Sequence, residues 1–157
     1  MDKLSNNLYK TFIYDDRYKY ILEGLGNTII IAFFAVIIGV ALGMMISLIR
    51  NNYEVNGKGK ISNFIAKSYV TIIRGTPVIL QLMIIYYVIF KSSDINILIV
   101  GILAFGLNSG AYVSEIIRSG INAIDKGQLE AGLALGLSYS KVMRLIIMPQ
   151  AIKNILP

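Results

Sequence analysis

The sequence predicts an all-α, polytopic membrane protein. Three observations carry that prediction: 55% of the 157 residues are hydrophobic with mean hydropathy +0.65, only 15% are charged, and the charges leave three long uncharged runs. A soluble domain carries about 25% charged and 45–50% apolar residues. The chain reads as a single transmembrane domain, without internal repeat or low-complexity tract.

The first predicted span covers about 24–49, a run of 26 uncharged residues from Gly24 to Ile49. At 1.5 Å per residue it reaches roughly 39 Å, more than the ~30 Å hydrocarbon core. It is too long for a cleavable signal h-region, its flank is as acidic as it is basic, and no A-x-A site follows, so it reads as a retained helix. The second run, Gly75 to Phe90, has 16 residues and is short for a span. Starting the helix near Tyr69 and letting Arg74 snorkel gives a span over about 69–90. The third run, Ile95 to Ser114, has 20 residues, enough for a span over about 95–115.

Residues 1–20 precede the first span. Leu4, Leu8 and Phe12 recur at i, i+4 near Tyr9, Tyr14, Tyr18 and Tyr20, a pattern that fits a short helix on the outer membrane surface or a partly ordered leader. Positive charge sets the orientation. The 50–74 loop holds Arg50, Lys58, Lys60, Lys67 and Arg74 against Glu54, and Arg118, Lys126, Lys141, Arg144 and Lys153 follow the third span. Segment 1–23 and the turn 91–94 are balanced. The consistent solution places the N-terminus and the 91–94 turn outside, and loop 50–74 and residues 115–157 inside.

After the third span, 125–149 reads as a two-helix element. Asp125 with Gln128 three residues on marks an N-cap for a helix over Lys126–Leu135. Gly136 ends it, and Ser138 caps a second helix that stops near Met148, before Pro149. The first helix is expected to expose Ala131, Gly132 and Ala134 around Leu129 and Leu133, either for docking in a partner's groove or for packing under the bundle.

Enzymatic chemistry finds little support. No Cys and no His are present, which removes thiol nucleophiles, imidazole bases and most zinc sites, so no metal is expected. Gly57-Lys58-Gly59-Lys60 lacks the Ser or Thr of a phosphate loop, since Ile61 stands there, and Gly24-Leu25-Gly26 lacks the third glycine of a dinucleotide fingerprint. An intramembrane enzyme would need a catalytic pair in the bilayer, and Glu115 alone approaches that role.

On the helix faces, Ala35, Gly39, Gly43 and Ser47 recur every four residues, as do Gly106, Gly110 and Ser114. Such stripes allow close helix approach, within the chain or between copies. Gln81 and Asn108 fit either a substrate path or hydrogen bonding between helices. Glu115 and Arg118, at i and i+3, are expected to pair with each other.

The residues of the C-terminal element then resemble a known pattern. Glu130-Ala131-Gly132, three residues, Gly136, nine residues and Ile146-Ile147-Met148-Pro149 resemble the EAA motif (EAA-x3-G-x9-I-x-L-P) of ABC transporter permeases, with Gly132 and Met148 as departures. Arg74-Gly75-Thr76-Pro77 with Gln81 resembles the RGTP-x3-Q signature of polar amino acid permeases. Asn108-Ser109-Gly110-Ala111-Tyr112, Glu115-Ile116-Ile117-Arg118, Lys126-Gly127-Gln128, and Gly24-Leu25 with Thr28 are similar to the same subfamily. The resemblance covers about 18–157.

The resemblance implies a multi-pass permease subunit of a binding-protein-dependent importer in a bacterial cytoplasmic membrane. It would translocate a polar amino acid as a homodimer or heterodimer, served by an extracytoplasmic binding protein. Two cytoplasmic ATPase subunits would hold the ATP and magnesium, and this chain would bind no cofactor. The ATPase-coupling residues implied are Glu130, Ala131, Gly132, Leu133, Gly136 and Pro149; the candidate translocation path is Gln81, Asn108 and Glu115. The family's C-terminal spans follow the EAA element, whereas this sequence ends there, so the expectation concerns the intact protein. The alternative is a truncated, non-transporting membrane scaffold or assembly protein that meets partners through its glycine stripes.

Overall fold

A computed structural model describes residues 3–91 and 94–155, without the side chains of residues 4, 5 and 56. Among the described residues every regular element is helical. The expected i, i+4 stripe therefore loses Leu4, and Ser92 and Ser93 of the outer turn also lie outside the described residues.

The frame is a pair of long helices, α2 (Arg17–Asn56) and α5 (Ile97–Asn122). Both outrun the predicted spans. At 40 residues α2 is roughly 60 Å long, so its ends carry charged residues beyond any ~30 Å apolar layer. Gly57 closes α2 at φ +64°, its N–H donating to the Tyr53 carbonyl at 2.9 Å. At the start of α5 the Asn96 side chain accepts from the Leu98 N–H at 2.9 Å, a side-chain N-cap.

The glycine stripes face each other across this pair. A Cβ on Gly39 would stand 2.6 Å from the Ser109 Cβ, one on Gly43 2.7 Å from the Val113 Cβ, and one on Gly106 2.8 Å from an Ile38 methyl. None of these fits, so each glycine is a place where a side chain of the opposite helix, Ser109, Val113 or Ile38, is received. Ala35, Ser47 and Ser114 are buried in the same seam. Of the two uses left open for the stripes, packing within the chain accounts for them.

The segment expected as one span over 69–90 is instead broken. Helix α3 (Lys60–Gly75) ends at Thr76, and α4 (Val78–Ile84) with the following π turn (Ile85–Ile89) leaves at 110° to it. Pro77 is the cause. It has no N–H to continue the ladder, and its ring pushes Thr76 out of the helical region, to φ −121°, ψ 146°. Among the described residues two helices are thus long and apolar enough to cross a membrane, and a third crossing requires the bent pair to count as one.

The N-terminal stretch is not one helix either. Helix α1 (Lys3–Leu8) passes through a π turn (Tyr9–Ile13) and a 3-10 turn (Tyr14–Asp16) before α2. Asp15 and Asp16 sit at φ 61° and 58°, left-handed values that interrupt the helix. Phe12, Ile13, Tyr14 and Tyr20 are exposed along it.

Past α5 the chain folds back as α6 (Lys126–Ala134), α7 (Tyr139–Val142), a π turn (Met143–Ile147) and α8 (Met148–Ile155). Pro149 does not stop this helix as its sequence position suggested. The π turn widens the backbone just before it, with the Met148 N–H donating to the Met143 carbonyl, and so makes room for the ring. Helix α8 then lies on α5, where the fully buried Ala151 meets Gly120.

Candidate functional site

Three constellations bear on function: the helix pair α6–α7, a charge cluster joining α2, α3 and α5, and a polar knot at the α3–α4 break.

Helix α6 opens on Asp125, whose Oδ1 accepts from the Gly127 N–H at 2.6 Å. It closes in a Schellman motif: the Leu137 N–H donates to the Gly132 carbonyl at 3.2 Å and the Gly136 N–H to the Leu133 carbonyl at 2.9 Å. That closure puts Gly136 at φ +80°, a left-handed conformation that a residue with a Cβ resists. Ser138 occupies the N-cap position of α7, but its side chain makes no capping hydrogen bond.

Glu130, Ala131, Leu133, Ala134 and Leu135 are exposed on this element, Leu135 to 80%. Gly132, expected on the same surface, is buried instead. A Cβ there would meet the two Val142 methyls at 2.8 and 2.9 Å. The glycine that departs from the EAA pattern is therefore where α6 rests on α7. Pro149 is exposed, about two turns of chain beyond Val142. Behind α6, against the ends of α2 and α5, lies a groove of about 500 Å³ whose lining includes Asn51, Glu54, Asp125, Glu130 and Met143. Asn51 Nδ2 donates to the Tyr139 hydroxyl at 3.1 Å across it, tying α7 to α2.

The charge cluster corrects the expected Glu115–Arg118 pair. Glu115 instead accepts from Arg50 through Oε1, and Arg74 stands 3.7 Å from Oε2. Arg118 pairs with Glu54 at 2.8 Å. The i, i+3 neighbours on α5 thus each face an i, i+4 neighbour on α2, and these cross-helix partners win because α2 and α5 lie in contact along this turn. The Arg74 guanidinium also lies 5.5 Å from the Tyr112 ring centre, a cation–π contact. Arg50, nearly buried at 9% exposure, counted in the sequence only as loop charge. Its spacing to Glu54, matched against Glu115 and Arg118, was the available signal.

Arg74, Gly75, Thr76 and Pro77 form the bend itself. There the Thr76 hydroxyl donates to the Ile72 carbonyl at 2.9 Å. Buried Gln81 donates through Nε2 to the Ile73 carbonyl at 2.7 Å, the Thr76 hydroxyl at 2.7 Å and the Thr76 carbonyl at 3.1 Å. Its Oε1 accepts from Asn108 Nδ2 at 3.1 Å. Gln81 and Asn108 are therefore together, and Glu115 sits apart in the charge cluster. Asn108 lines a groove of about 590 Å³ beside the α2–α5 seam, with Thr28, Ile31, Ala35, Phe105 and Ser109. Tyr69, which the sequence marked only as a helix start, donates its hydroxyl to the Leu107 carbonyl and ties α3 to α5.

Residues 35–157 match the profile of the binding-protein-dependent transport system inner membrane component family. The chain is 47% identical over 145 residues to the arginine transport system permease protein ArtQ of Bacillus subtilis, covering 88% of this chain and 62% of that protein. It is 43% identical over 140 residues to the putative glutamine transport system permease protein GlnP of Rickettsia prowazekii, and 36% identical over 140 residues to the glutamine transport system permease protein GlnP of Escherichia coli. These alignments cover 88% and 87% of this chain and 62% of each relative, so the chain spans less than two thirds of their length. A crystal structure of an amino acid ABC transporter with histidines superposes with TM-score 0.79 at 38% identity, covering all of this chain and 68% of the other.

Proposed function

The chain belongs to the family of binding-protein-dependent transport system inner membrane components, and from that premise we propose that it is a permease subunit of an ATP-binding-cassette importer for a polar amino acid, with arginine and glutamine as first candidates. In this reading its N-terminus lies outside and its α6–α7 pair inside the cytoplasmic membrane. It works with a second permease copy or paralogue and an extracytoplasmic binding protein. ATP and magnesium sit on a separate ATPase pair, and this chain performs no covalent chemistry.

The observation that carries the proposal is the shape of α6–α7. Glu130, Ala131 and Leu133 stand exposed on a helix whose buried Gly132 and left-handed Gly136 fix its angle to α7. A short exposed helix face on a rigid elbow suits seating in a cleft of a partner, and the Tyr139–Asn51 bond offers a route from that seat to α2. The scaffold alternative would meet partners through its glycine stripes, and Gly39, Gly43, Gly106 and Gly110 pack within the chain.

The experiment is co-purification of the full-length permease with its ATPase from membranes, comparing native protein with Ala131→Asp and Leu133→Asp. Both variants place charge on the exposed face without touching the Gly132 contact. Loss of the ATPase from an otherwise intact membrane subunit is expected; native ATPase content in both variants would remove α6 as the seat.

A further inference from the structure

At the α3–α4 break the backbone asks for donors. The last carbonyls of α3 have no following helical N–H to meet them, because Pro77 carries none and the chain turns through 110°. In an apolar layer such groups must be satisfied inside the protein. The single proton of the Thr76 hydroxyl goes to the Ile72 carbonyl. What remains around Gln81, the Ile73 carbonyl, the Thr76 carbonyl and the Thr76 Oγ1 lone pair, can only accept.

Those three acceptors decide which end of the Gln81 carboxamide is the NH2. Its oxygen is thereby turned toward α5 and accepts from Asn108 Nδ2. The Asn108 amide is fixed in turn: its nitrogen faces Gln81, and its oxygen, on the same carbon and in the same plane, is directed about 120° from that nitrogen. We infer that Gln81 is a positioning residue, which through this chain of bonds makes Asn108 present an acceptor, its Oδ1, to the groove between α2 and α5. The inference rests on the proposed reading of this chain as an amino acid permease, places Asn108 on its path along this groove, and names what the path reads there: an N–H donor of the amino acid. That donor is the α-ammonium or a side-chain guanidinium or carboxamide. Without Gln81 the amide is free to flip, and its NH2 would then face a donor with a donor.

The test uses the assembled full-length transporter in proteoliposomes, with labelled arginine and glutamine as probes and norleucine, which lacks a side-chain N–H, as competitor. Asn108→Leu is expected to raise KM by about tenfold, the scale of one lost hydrogen bond to a charged or polar group. Gln81→Leu should raise KM by about twofold, since an amide free to flip presents its oxygen about half the time, with kcat unchanged. The double variant should equal Asn108→Leu, because a residue acting through another adds nothing once its target is gone. Equal weakening of norleucine inhibition assigns the contact to the ammonium; unaltered inhibition assigns it to the side chain.

Native KM in Gln81→Leu, with only yield or kcat reduced, would overturn the positioning role while leaving the path intact. So would KM effects that multiply in the double variant. Native KM in Asn108→Leu would remove the path from this groove altogether. Should Gln81→Leu fail to assemble because the Ile73 and Thr76 carbonyls lose their donor, Gln81→Lys keeps N–H donors for those carbonyls but offers Asn108 no acceptor: a native KM in that variant refutes the inference.

Discussion

Gly136→Val isolates the turn between α6 and α7. A Cβ added at Gly136 would have nothing within 4 Å. Its cost is set by conformation, because Gly136 sits at φ +80°. A left-handed conformation costs an L-residue about 1–2 kcal/mol, and β-branching makes it worse. The two Schellman bonds, from Leu137 to Gly132 and from Gly136 to Leu133, depend on that φ. A bias of 1–2 kcal/mol against the native turn shifts its population by a factor of about 5–30. If α6 transmits ATP-driven motion at a fixed angle to α7, amino acid taken up per ATP hydrolysed should fall by a similar factor in reconstituted full-length transporter. Gly136→Asn, which tolerates left-handed φ, should stay within about twofold of native. A Val variant with native uptake per ATP would refute the reasoning, because the strain would then be shown to have no mechanical consequence.

Two further substitutions probe packing and charge. Gly132→Ala places a Cβ at 2.8 Å from a Val142 methyl and should cost about 1–3 kcal/mol of stability by overpacking. Val142→Ala in the same chain should restore most of it, read as the thermal midpoint of the detergent-solubilised complex. Arg50→Met leaves Glu115 with only the 3.7 Å contact to Arg74, and should cost about 1–2 kcal/mol, less than for a fully buried pair because Glu115 is a quarter exposed. Adding Glu115→Gln should recover part of that loss in the same melting experiment; a double variant no better than Arg50→Met alone would count against the pairing.

The parts of the fold legible in the sequence were those fixed by local chemistry or by runs of one kind of residue. Uncharged runs marked α2 and α5, whose ends then extend further because helices continue past the apolar layer into charged turns. Asp125 and Gly136 announced their roles because capping and left-handed turns depend on a few neighbouring atoms. The bend at Thr76–Pro77 had its signal in Pro77, but reading 69–90 as one span let the need for length override it. Pro149 failed as a stop signal for the opposite reason, since a π turn just upstream removed the clash that a proline normally creates. The ion pairs were misread because sequence spacing reveals only neighbours on one helix. Which residue of α2 stands opposite Glu115 depends on how deeply the Gly39 and Gly43 faces settle against α5, a tertiary fact.

That same seam connects the three constellations. Close approach at Gly39 and Gly43 brings the far turns of α2 and α5 together, so that Arg50 and Glu54 reach Glu115 and Arg118. The next residue of α2, Asn51, holds Tyr139 of α7. Glu115 also meets Arg74, two residues before Thr76 and the bend that Gln81 ties to Asn108. A displacement of α7 must either break the Asn51–Tyr139 bond or move the adjacent turn of α2, and that turn carries Arg50, whose partner Glu115 reaches the bend through Arg74. The polar residues of this apolar chain are few, and their placement along this line gives the α6–α7 pair and the Asn108 groove a shared set of supports.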